Sequence, residues 1–497
     1  MDLEVADLEG DEEMVIGRDL FRVLGYEVLN VPFTWPQCED TTRQPKERTH
    51  EEVPEGIGED GVAPEWKELI EQNQAIPKHH RCQLPGAELA IETTGDPAWV
   101  RQYPMPERYK PAVNEKVQEW VDAGLCVPVS PGCQWNTPLL AAKKPSKEVG
   151  VPDGIRTCGD FWKVNERITK MPDSNLPTLQ EVHDSLKRFK WISVIDFAES
   201  YHQFPIREED QQKTAFTWGR FGQLMFTGVP FGLKIMTGHM QKLMEKLLMP
   251  LGIKPFQDDI VIASQTVKEH VRDVRRVLEL LTDVGRLRIN LKKCQFFKQE
   301  ARVLGSIIAG DGIRMDPKTI RAIVSWTRPT DGKGMQRFLG AANFHRDFSH
   351  EYARIVAPLE ELRNVSGDIK WTPERSQAFE DVKKLFASNL SLRTIDWGRE
   401  IYLTTDASLV GIGAWIGQKN EEGEIALVVC ASKKLTATQQ RWSATKRELY
   451  ALMWGMQRMR NYLLGRRFVA RVDHKPLVAM MRNKFNVMME GWVNTIL

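Results

Sequence analysis

The chain has 497 residues, of which 42% are hydrophobic, and 15 Trp and 20 Phe among them exclude a wholly disordered chain. The net charge of +1 hides an asymmetry, because residues 1–60 hold 17 acidic and 5 basic residues, whereas residues 61–497 hold 50 acidic and 63 basic ones. A moderately basic body is compatible with binding a phosphate backbone, although ordinary solvated surface explains the charge as well.

Targeting signals and cysteine usage restrict the class of protein further. No apolar run approaches the roughly 20 residues that span a bilayer, and the acidic start MDLEVADLEGDEE lacks the apolar core of a secretory signal. The seven cysteines are scattered and form no CxxC pair. This spacing disfavours a disulfide framework or a zinc ribbon and favours a reducing compartment.

The first half of the chain is predicted to be mixed α and β. A short helix and a strand over 14–33 precede a polar, Pro- and Gly-interrupted stretch over 34–78, which is typical of a linker. The globular pattern then predicts a helix over 107–127, strands over 138–144 and 190–196, two short strands over 255–264 that meet in a tight turn at Asp258-Asp259, and a helix over 266–288.

The second half begins helical and returns to strands. Asp316-Pro317 is a favourable N-cap and first helical residue, and Thr372-Pro373 opens another helix in the same way. The predicted elements are helices over about 316–326, 333–347, 351–364 and 372–388, three strands from residue 399, a long helix over 438–463 and a strand over 468–473.

Carboxylates at two predicted strand ends form the first candidate site. Asp196 ends the strand KWISVID, and Asp258-Asp259 lie in the turn of FQDDIVIAS. If the two strands are neighbours, the three carboxylates lie close together. Their mutual repulsion then raises the pKa values of these side chains. Two Mg²⁺ ions about 3.5–4 Å apart would relieve that repulsion and support phosphoryl transfer. An isolated Asp pair is more often simple turn chemistry.

A second acidic set lies near the C-terminal end of the sequence. Asp406 ends the strand YLTTDAS, Asp473 ends FVARVD, and Glu448 lies on the amphipathic helix between them. Two strand ends and one helix can gather three carboxylates around two metal ions, and such a site can activate water to cleave a phosphodiester. For each residue singly, a surface acid is the plain alternative.

Five motifs in a fixed order resemble the reverse transcriptase of gypsy-like (Metaviridae) LTR retrotransposons. Each motif is weak alone, but their ordered succession over most of residues 79–495 is specific. The motifs are VIDFAESYHQFPIREEDQQKTAF (194–216), GQLMFTGVPFGL (222–233), FQDDIVIAS (256–264), INLKKCQFFKQEARVLGSIIAGDGIRMDP (289–317) and RFLGAANFHRDF (337–348). The sequence TDAS…RWSATKRELYAL…VDHKPL resembles the ribonuclease H domain of the same elements.

The resemblance implies metal ligands and catalytic residues at both acidic sets. The polymerase ligands would be Asp196, Asp258 and Asp259, with the backbone carbonyl of Phe197 as an additional ligand, and the ribonuclease H ligands would be Asp406, Glu448 and Asp473. The implied cofactor is Mg²⁺, with Mn²⁺ as an alternative.

The resemblance also implies substrate-binding residues. Tyr201 would lie beneath the incoming sugar, where its ring rejects a 2′-hydroxyl, and Phe231 and Gly232 would line the same pocket. Lys143, Lys144 and Arg156 would supply cations for the triphosphate. A solvated basic loop explains any single lysine nearly as well.

The implied fold class is α/β (α+β), a right-hand polymerase with fingers, palm and thumb followed by a ribonuclease H-like domain. At the amino end MVIGRDLFRVLG resembles the closing segment of a retroviral-type aspartic protease, without its catalytic triad. The expected domains are a protease remnant (1–36), an acidic linker (37–78), fingers and palm (79–312), thumb or connection (313–395) and a ribonuclease H-like domain that is incomplete at its C-terminus (396–497).

The implied partners are an RNA or DNA template-primer, an RNA–DNA hybrid and deoxynucleoside triphosphates, with no membrane. The expected location is intracellular, in cytoplasmic virus-like particles with the nucleus as an alternative, and the sequence does not fix the oligomeric state. Two departures leave a second function open. The fourth ribonuclease H acid has no match after Asp473, and Ile235-Met236 replace the family's Asn-Ala. The alternative is a degenerate, non-catalytic nucleic-acid-binding copy.

Overall fold

The computed structural model describes residues 57–58, 61–78, 80–143, 154–172, 176–177, 179–186, 189–388 and 390–472. The described residues divide into two compact units, and the chain passes from one to the other between Val303 and Leu304. The predicted helix and strand over 14–33, and with them the protease remnant, lie outside the described residues. In the described part of the chain, no helix is both long and apolar enough to cross a bilayer.

The first unit contains three small sheets and the helices that cover them. Its strands are β1 (Cys126–Pro128), β2 (Leu139–Lys143), β3 (Ile155–Gly159), β4 (Trp191–Ile195), β5 (Phe216–Thr217), β6 (Gln223–Phe226), β7 (Ile260–Ser264), β8 (Gln295–Lys298) and β9 (Glu300–Val303). Its helices are α1 (Lys67–Ala75), α2 (Lys110–Asp122), α3 (Trp162–Arg167), α4 (Leu179–Ser185), α5 (Glu208–Gln211), α6 (Lys234–Leu248) and α7 (Val267–Glu279).

The central strand of this unit is β4, which lies between β7 and β8. All five of its residues are buried, as the continuous apolar run KWISVID predicts for a strand covered on both faces. Antiparallel pairing of β4 with β7 runs from Trp191 opposite Ser264 to Ile195 opposite Ile260. The strand pair therefore ends at the segment that carries Asp196.

A buried polar network braces these two strands. The Nε2 atom of His270 on α7 lies 2.7 Å from Ser193 Oγ on β4, and its Nδ1 atom lies 3.2 Å from Ser264 Oγ on β7. Burial lowers the pKa of His270 to about 4. The imidazole is therefore neutral at physiological pH and links both strands to the helix.

The acidic linker predicted over 37–78 is wrong in its last part, because residues 64–75 form a short 3₁₀ turn followed by α1. The side chain of Trp66 is completely buried, and its Nε1 donates to the carbonyl oxygen of Val271 at 3.0 Å. A buried indole with a satisfied N–H is a strong anchor. Burial of this one side chain, rather than the acidic composition, decides the structure of residues 64–75.

The second unit combines a helical part with two groups of paired strands, one of which is a four-stranded sheet. Its strands are β10 (Ser306–Ala309), β11 (Gly312–Met315), β12 (Ser391–Arg393), β13 (Tyr402–Ala407), β14 (Gly411–Lys419), β15 (Ile425–Lys434) and β16 (Val469–Val472). Its helices are α8 (Pro317–Val324), α9 (Gly332–Asn343), α10 (Tyr352–Glu360), α11 (Pro373–Ala387), α12 (Ala437–Gln440), α13 (Ala444–Arg458) and α14 (Arg460–Leu463).

Several local signals predicted these helices, but one predicted helix is interrupted. Asp316 Oδ1 accepts from Lys318 N at 2.9 Å, and Thr372 Oγ1 accepts from Arg375 N at 3.3 Å, so both N-caps are confirmed. The single helix predicted over 438–463 is instead three helices, α12, α13 and α14. The first break occurs because Ser443 is extended and caps α13.

The helical part and the sheet pack directly against each other. Cys430 Sγ on β15 lies 3.1 Å from the carbonyl oxygen of Asp347, and Ala353 N on α10 donates to Ser432 Oγ at 3.1 Å. A Cβ atom on Gly413 would lie 2.7 Å from the carbonyl oxygen of His350, so β14 approaches the helical part too closely for any larger residue. The predicted boundary at 395/396 thus falls inside one compact unit.

Candidate active sites

The register of β4 and β7 brings two of the predicted carboxylates together. Asp196 directly follows Ile195, Asp259 directly precedes Ile260, and Ile195 and Ile260 are paired. Asp196 and Asp259 are therefore neighbours at the end of the strand pair. The sequence motifs predicted this meeting, and the strand register supplies its geometry.

The third carboxylate lies in the turn that precedes β7. Phe256 and Asp259 exchange backbone hydrogen bonds of 3.1 and 2.9 Å, so the two turn residues are Gln257 and Asp258. The turn predicted at Asp258-Asp259 is therefore displaced by one residue. Gln257 has a left-handed φ of 52°, which makes the turn tight enough to place Asp258 beside its neighbours.

The three carboxylates lie close enough to influence one another's charge. Burial, together with the nearby charges of Asp258 and Asp196, raises the pKa of Asp259 to about 6. Burial also raises the pKa of Asp196, and Lys293 opposes that shift. The Lys293 ammonium lies 3.4 Å from Asp196 Oδ1. The site thus concentrates negative charge that a single lysine only partly offsets.

The donor set fits hard divalent cations. Carboxylate oxygens are the ligands that Mg²⁺ prefers, and the only cation beside buried Asp196 Oδ1 in the described residues is the lysine ammonium. No three acidic, His or Cys side chains within the described ranges are already gathered into a ligand cluster. Binding of divalent cations by Asp196, Asp258 and Asp259 therefore stays a prediction.

Lys293 is the site residue that reasoning from the sequence did not assign. It lies in the motif INLKKCQFF, between Asn290, whose N–H donates to the carbonyl oxygen of Asp196 at 2.8 Å, and strand β8. The sequence does not indicate which of the two adjacent lysines in this motif lies at the carboxylates. The hydrogen bond between Asn290 and Asp196 and the bridge between Phe197 and Ile289 hold the segment of Lys293 at the carboxylates.

An aromatic pair lies where the resemblance implies the nucleotide pocket. The rings of Tyr201 and Phe231 stack with centroids 5.1 Å apart, and Tyr201 Oη lies 3.3 Å from Thr237 Oγ1 on α6. Phe231 is 41% exposed, so the pair borders solvent that a substrate could replace. Gly232 has a φ of 106°, and a Cβ atom there would lie 3.2 Å from the carbonyl oxygen of Gly159, so glycine is required.

The unusual Ile235-Met236 pair does not line this pocket. Both side chains are buried, 2% and 0% exposed, and both belong to the main hydrophobic core of the first unit. Ile235 and Met236 replace the family's Asn-Ala at the start of α6, but their side chains pack in the core and not at the nucleotide pocket. The side chain of α6 that contacts the pocket is Thr237.

Of the three basic residues predicted to bind the triphosphate, the structure describes two. Arg156 is exposed on β3, and its residue pairs with Ala142 on β2. Lys143 is the last residue of β2 and pairs with Ile155, and Lys144 lies outside the described residues. The hairpin of β2 and β3 therefore carries Arg156 and Lys143, and their role in triphosphate binding stays a prediction. Phe197 is buried and pairs with Ile289, and metal ligation by its carbonyl also stays a prediction.

Two residues of the second acidic set, Asp406 and Glu448, lie on the sheet of the second unit and on the helix that packs against it. Asp406 lies on β13 opposite Gly413 of β14, and Glu448 is 6% exposed on α13. A Cβ atom on Gly455 would lie 2.9 Å from Ala414 Cβ, so α13 packs tightly on the sheet. Strand β16 is parallel to β13, with Val472 opposite Thr405, and Asp473 lies outside the described residues.

The raised pKa of Asp259 predicts a pH-dependent gain in stability for Asp259→Asn. A carboxyl whose folded pKa is about 6, compared with an ordinary 3.8, destabilises the folded state when both states are ionised. We expect Asp259→Asn to raise the free energy of unfolding of the metal-free protein by about 3 kcal/mol at pH 7.5. The gain should shrink below pH 6 and vanish below pH 4.

Urea unfolding of both proteins in chelator at pH 7.5, 5.5 and 4 measures this difference. An exposed acid of the same unit gives the control, because Asp283→Asn should show no comparable pH-dependent gain. A gain for Asp259→Asn that is equal at all three pH values would contradict the coupling described above.

Two family profiles match the chain. Residues 146–308 match a family profile described as reverse transcriptase (RNA-dependent DNA polymerase). Residues 371–470 match one described as an RNase H-like domain found in reverse transcriptase. The first match contains all three carboxylates of the first site, and the second contains Asp406 and Glu448.

Curated relatives include Pol polyproteins of Drosophila melanogaster transposons. The chain is 32% identical over 389 residues to the one from transposon 297, covering 78% of this chain and 36% of that polyprotein. It is 28% identical over 460 residues to the one from transposon gypsy, covering 88% of this chain and 43% of that polyprotein. The chain thus spans less than half the length of these relatives.

Solved structures with a similar fold include foamy viral protease-reverse transcriptases. One, in complex with double-stranded DNA, has a TM-score of 0.74 at 22% identity and covers 86% of this chain and 75% of that one. Another, in complex with an RNA/DNA hybrid, has a TM-score of 0.70 at 22% identity and covers 86% of this chain and 58% of that one. At this identity the likeness concerns the fold.

Proposed function

We propose that this chain, which carries a reverse transcriptase domain and an RNase H-like domain of the kind found in reverse transcriptases, is the RNA-directed DNA polymerase of an LTR retrotransposon. The same chain would cleave RNA in RNA–DNA hybrids. The observation that carries the proposal is the meeting of Asp196, Asp258 and Asp259 at one end of the β4–β7 pair, with electrostatic coupling among them.

The three carboxylates would hold two divalent cations, Mg²⁺ or Mn²⁺, which lower the pKa of the primer 3′-hydroxyl and stabilise the triphosphate and its leaving oxygen. The chain itself supplies the orientation. Asp258 and Asp259 are fixed by the hairpin turn, and Asp196 by the end of a buried strand. Tyr201 and Phe231 would form the floor of the nucleotide pocket, and Arg156 would bind phosphate oxygens as a planar fork.

The nucleic-acid partners proposed here are an RNA or DNA template with its primer, and an RNA–DNA hybrid for the nuclease. The fold likeness to reverse transcriptases solved with double-stranded DNA and with an RNA/DNA hybrid supports this proposal. Deoxynucleoside triphosphates are the proposed substrates. We also propose an intracellular location, in cytoplasmic particles or the nucleus.

A primer-extension assay on a primed RNA template tests the polymerase. The native chain with Mg²⁺ should extend the primer, and Asp258→Asn should not, because an amide cannot replace a charged ligand. Equal extension by both proteins would reject the assigned site. No extension by a correctly folded native chain that still binds template-primer would favour the alternative, a non-catalytic nucleic-acid-binding copy.

The stacked Tyr201 ring predicts how the enzyme selects its sugar. We expect Tyr201→Ala to reduce the preference for deoxynucleotides over ribonucleotides by about 100-fold, because a ring that would clash with the 2′-hydroxyl is removed. The measurement is the ratio of kcat/KM values for dTTP and UTP. Tyr201→Phe keeps the ring and loses only the contact with Thr237, so it should retain most of the selectivity. An unchanged ratio in Tyr201→Ala would exclude Tyr201 from sugar selection.

A further inference from the structure

Two buried glutamine side chains contact the two backbone segments that carry the polymerase carboxylates. Gln241 on α6 is 0% exposed and Gln203, after Tyr201, is 1% exposed. Buried amides are normally satisfied by hydrogen bonds, and an amide offers both donors and an acceptor. Each of these two amides forms three hydrogen bonds, and most of their partners belong to catalytic segments.

Gln241 brackets the hairpin turn that contains Asp258. Its Oε1 accepts from Gln257 N at 2.7 Å, and its Nε2 donates to the carbonyl oxygen of Pro255 at 3.0 Å. Nε2 also donates to Glu245 Oε1 at 2.8 Å. Because a carboxylate only accepts, Glu245 fixes the amide with Oε1 towards Gln257.

Gln203 joins the chain after Asp196 to the segment that leads to Lys293. Its Nε2 donates to the carbonyl oxygens of Ala198 and Arg288 at 2.6 and 2.9 Å. Its Oε1 accepts from Arg288 N at 2.7 Å. Through these bonds the loop that begins at Asp196 is tied to the neighbouring backbone, independently of the strand pairing.

We propose that Gln241 and Gln203 are positioning residues of the polymerase site, which hold the backbone of Asp258 and of Asp196 at the separation that lets repelling carboxylates share divalent cations. The proposal rests on the proposed function. Gln257 supports it directly, since a non-glycine residue in the left-handed region is retained only where its surroundings fix it. The N–H of that residue is the one that Gln241 binds.

The same helix also reaches the nucleotide pocket. Thr237 lies one turn before Gln241 on α6 and contacts Tyr201 Oη, and side chains four residues apart share one face of a helix. One face of α6 therefore serves the sugar pocket and the catalytic turn. A small displacement of this helix would move both.

Gln241→Met tests the proposal, because methionine fills a similar volume and forms none of the three hydrogen bonds. We expect kcat for single-nucleotide extension to fall about 100-fold, the loss typical of a misplacement of about 1 Å. We also expect the Mg²⁺ concentration for half-maximal rate to rise about 10-fold, with template-primer affinity unchanged. Gln203→Met should act in the same direction.

The matched control is Gln418→Met in the second unit. Gln418 is 5% exposed, its Oε1 accepts from Asp396 N at 2.7 Å, and its Nε2 donates to the carbonyl oxygen of Asp396 at 2.8 Å. The variant removes the same kind of bonds far from the carboxylates in sequence. It should lower the unfolding midpoint without changing the Mg²⁺ dependence of extension.

Mn²⁺ binding gives a readout that does not depend on activity. Electron paramagnetic resonance of free Mn²⁺, in a Glu448→Gln background that weakens the second site, should show about 10-fold weaker binding for Gln241→Met than for its parent. If that variant does not fold, Glu245→Met releases the amide and should give a smaller change, about 3-fold, in the same direction.

The outcomes separate the two proposals. Native kcat, Mg²⁺ dependence and Mn²⁺ affinity in Gln241→Met would overturn the positioning role, and so would an equal shift in Gln418→Met. A native chain that extends no primer would reject the proposed function, whereas the Mn²⁺ comparison would still test the glutamine amides.

Discussion

Asp196→Asn is expected to abolish primer extension, with kcat lowered by at least about 1,000-fold, while template-primer binding and hybrid cleavage stay near native levels. Asparagine has nearly the same shape but no charge, so the folded structure is retained. Stabilisation of the developing charge by bound cations is worth several kcal/mol, and each 1.36 kcal/mol corresponds to a tenfold change in rate. Single-turnover extension with saturating nucleotide measures the effect.

The double variant Asp196→Asn/Asp258→Asn gives the sharper test. Residues that act as one unit are not additive, so the double variant should lose little more than either single variant. Asp283→Asn, which removes an exposed acid of the same unit, should extend primers normally. If the two single effects multiplied, Asp196 and Asp258 would serve separate steps rather than one shared site.

Glu448→Gln is expected to remove hybrid cleavage, by about 100-fold or more, and to leave primer extension unchanged. Glu448 is 6% exposed on a helix that packs tightly on the strand of Asp406, so glutamine fits the same space. Its loss would remove one charged ligand from a site that activates water. Cleavage of an end-labelled RNA–DNA hybrid in Mg²⁺ measures the effect.

The control for the nuclease is Glu421→Gln, which changes an exposed acid in the turn between β14 and β15 of the same domain. It should cleave hybrids at the native rate. We therefore expect Asp196→Asn to lose only primer extension and Glu448→Gln to lose only hybrid cleavage. Loss of both activities in either variant would mean that the two sites do not work independently.

Much of the local structure followed from the sequence. The apolar run before Asp196 predicted a buried strand, and Asp316-Pro317 and Thr372-Pro373 predicted two helix starts that are confirmed by their capping hydrogen bonds. These signals are local, since a cap or a strand depends on residues within a few positions of one another. The ordered motifs also predicted a reverse transcriptase region followed by a ribonuclease H-like region, and profiles of both kinds match the chain in that order.

Other features depended on contacts between distant residues. The acidic stretch before residue 78 hid helix α1, because burial of Trp66 against residues more than 200 positions away decides that fold. The turn at Gln257-Asp258 was placed one residue late, because its position depends on the bridge between Phe256 and Asp259.

The sequence by itself determined which residue types are present for two acidic sites and in which order they follow along the chain. Tertiary structure alone decided which of them meet. The register of β4 against β7 sets Asp196 beside Asp259, Asn290 brings Lys293 to them, and Gln241 holds the turn of Asp258. The physical reason is that charge repulsion, burial and hydrogen bonding depend on distances in space, which spacing along a chain does not fix.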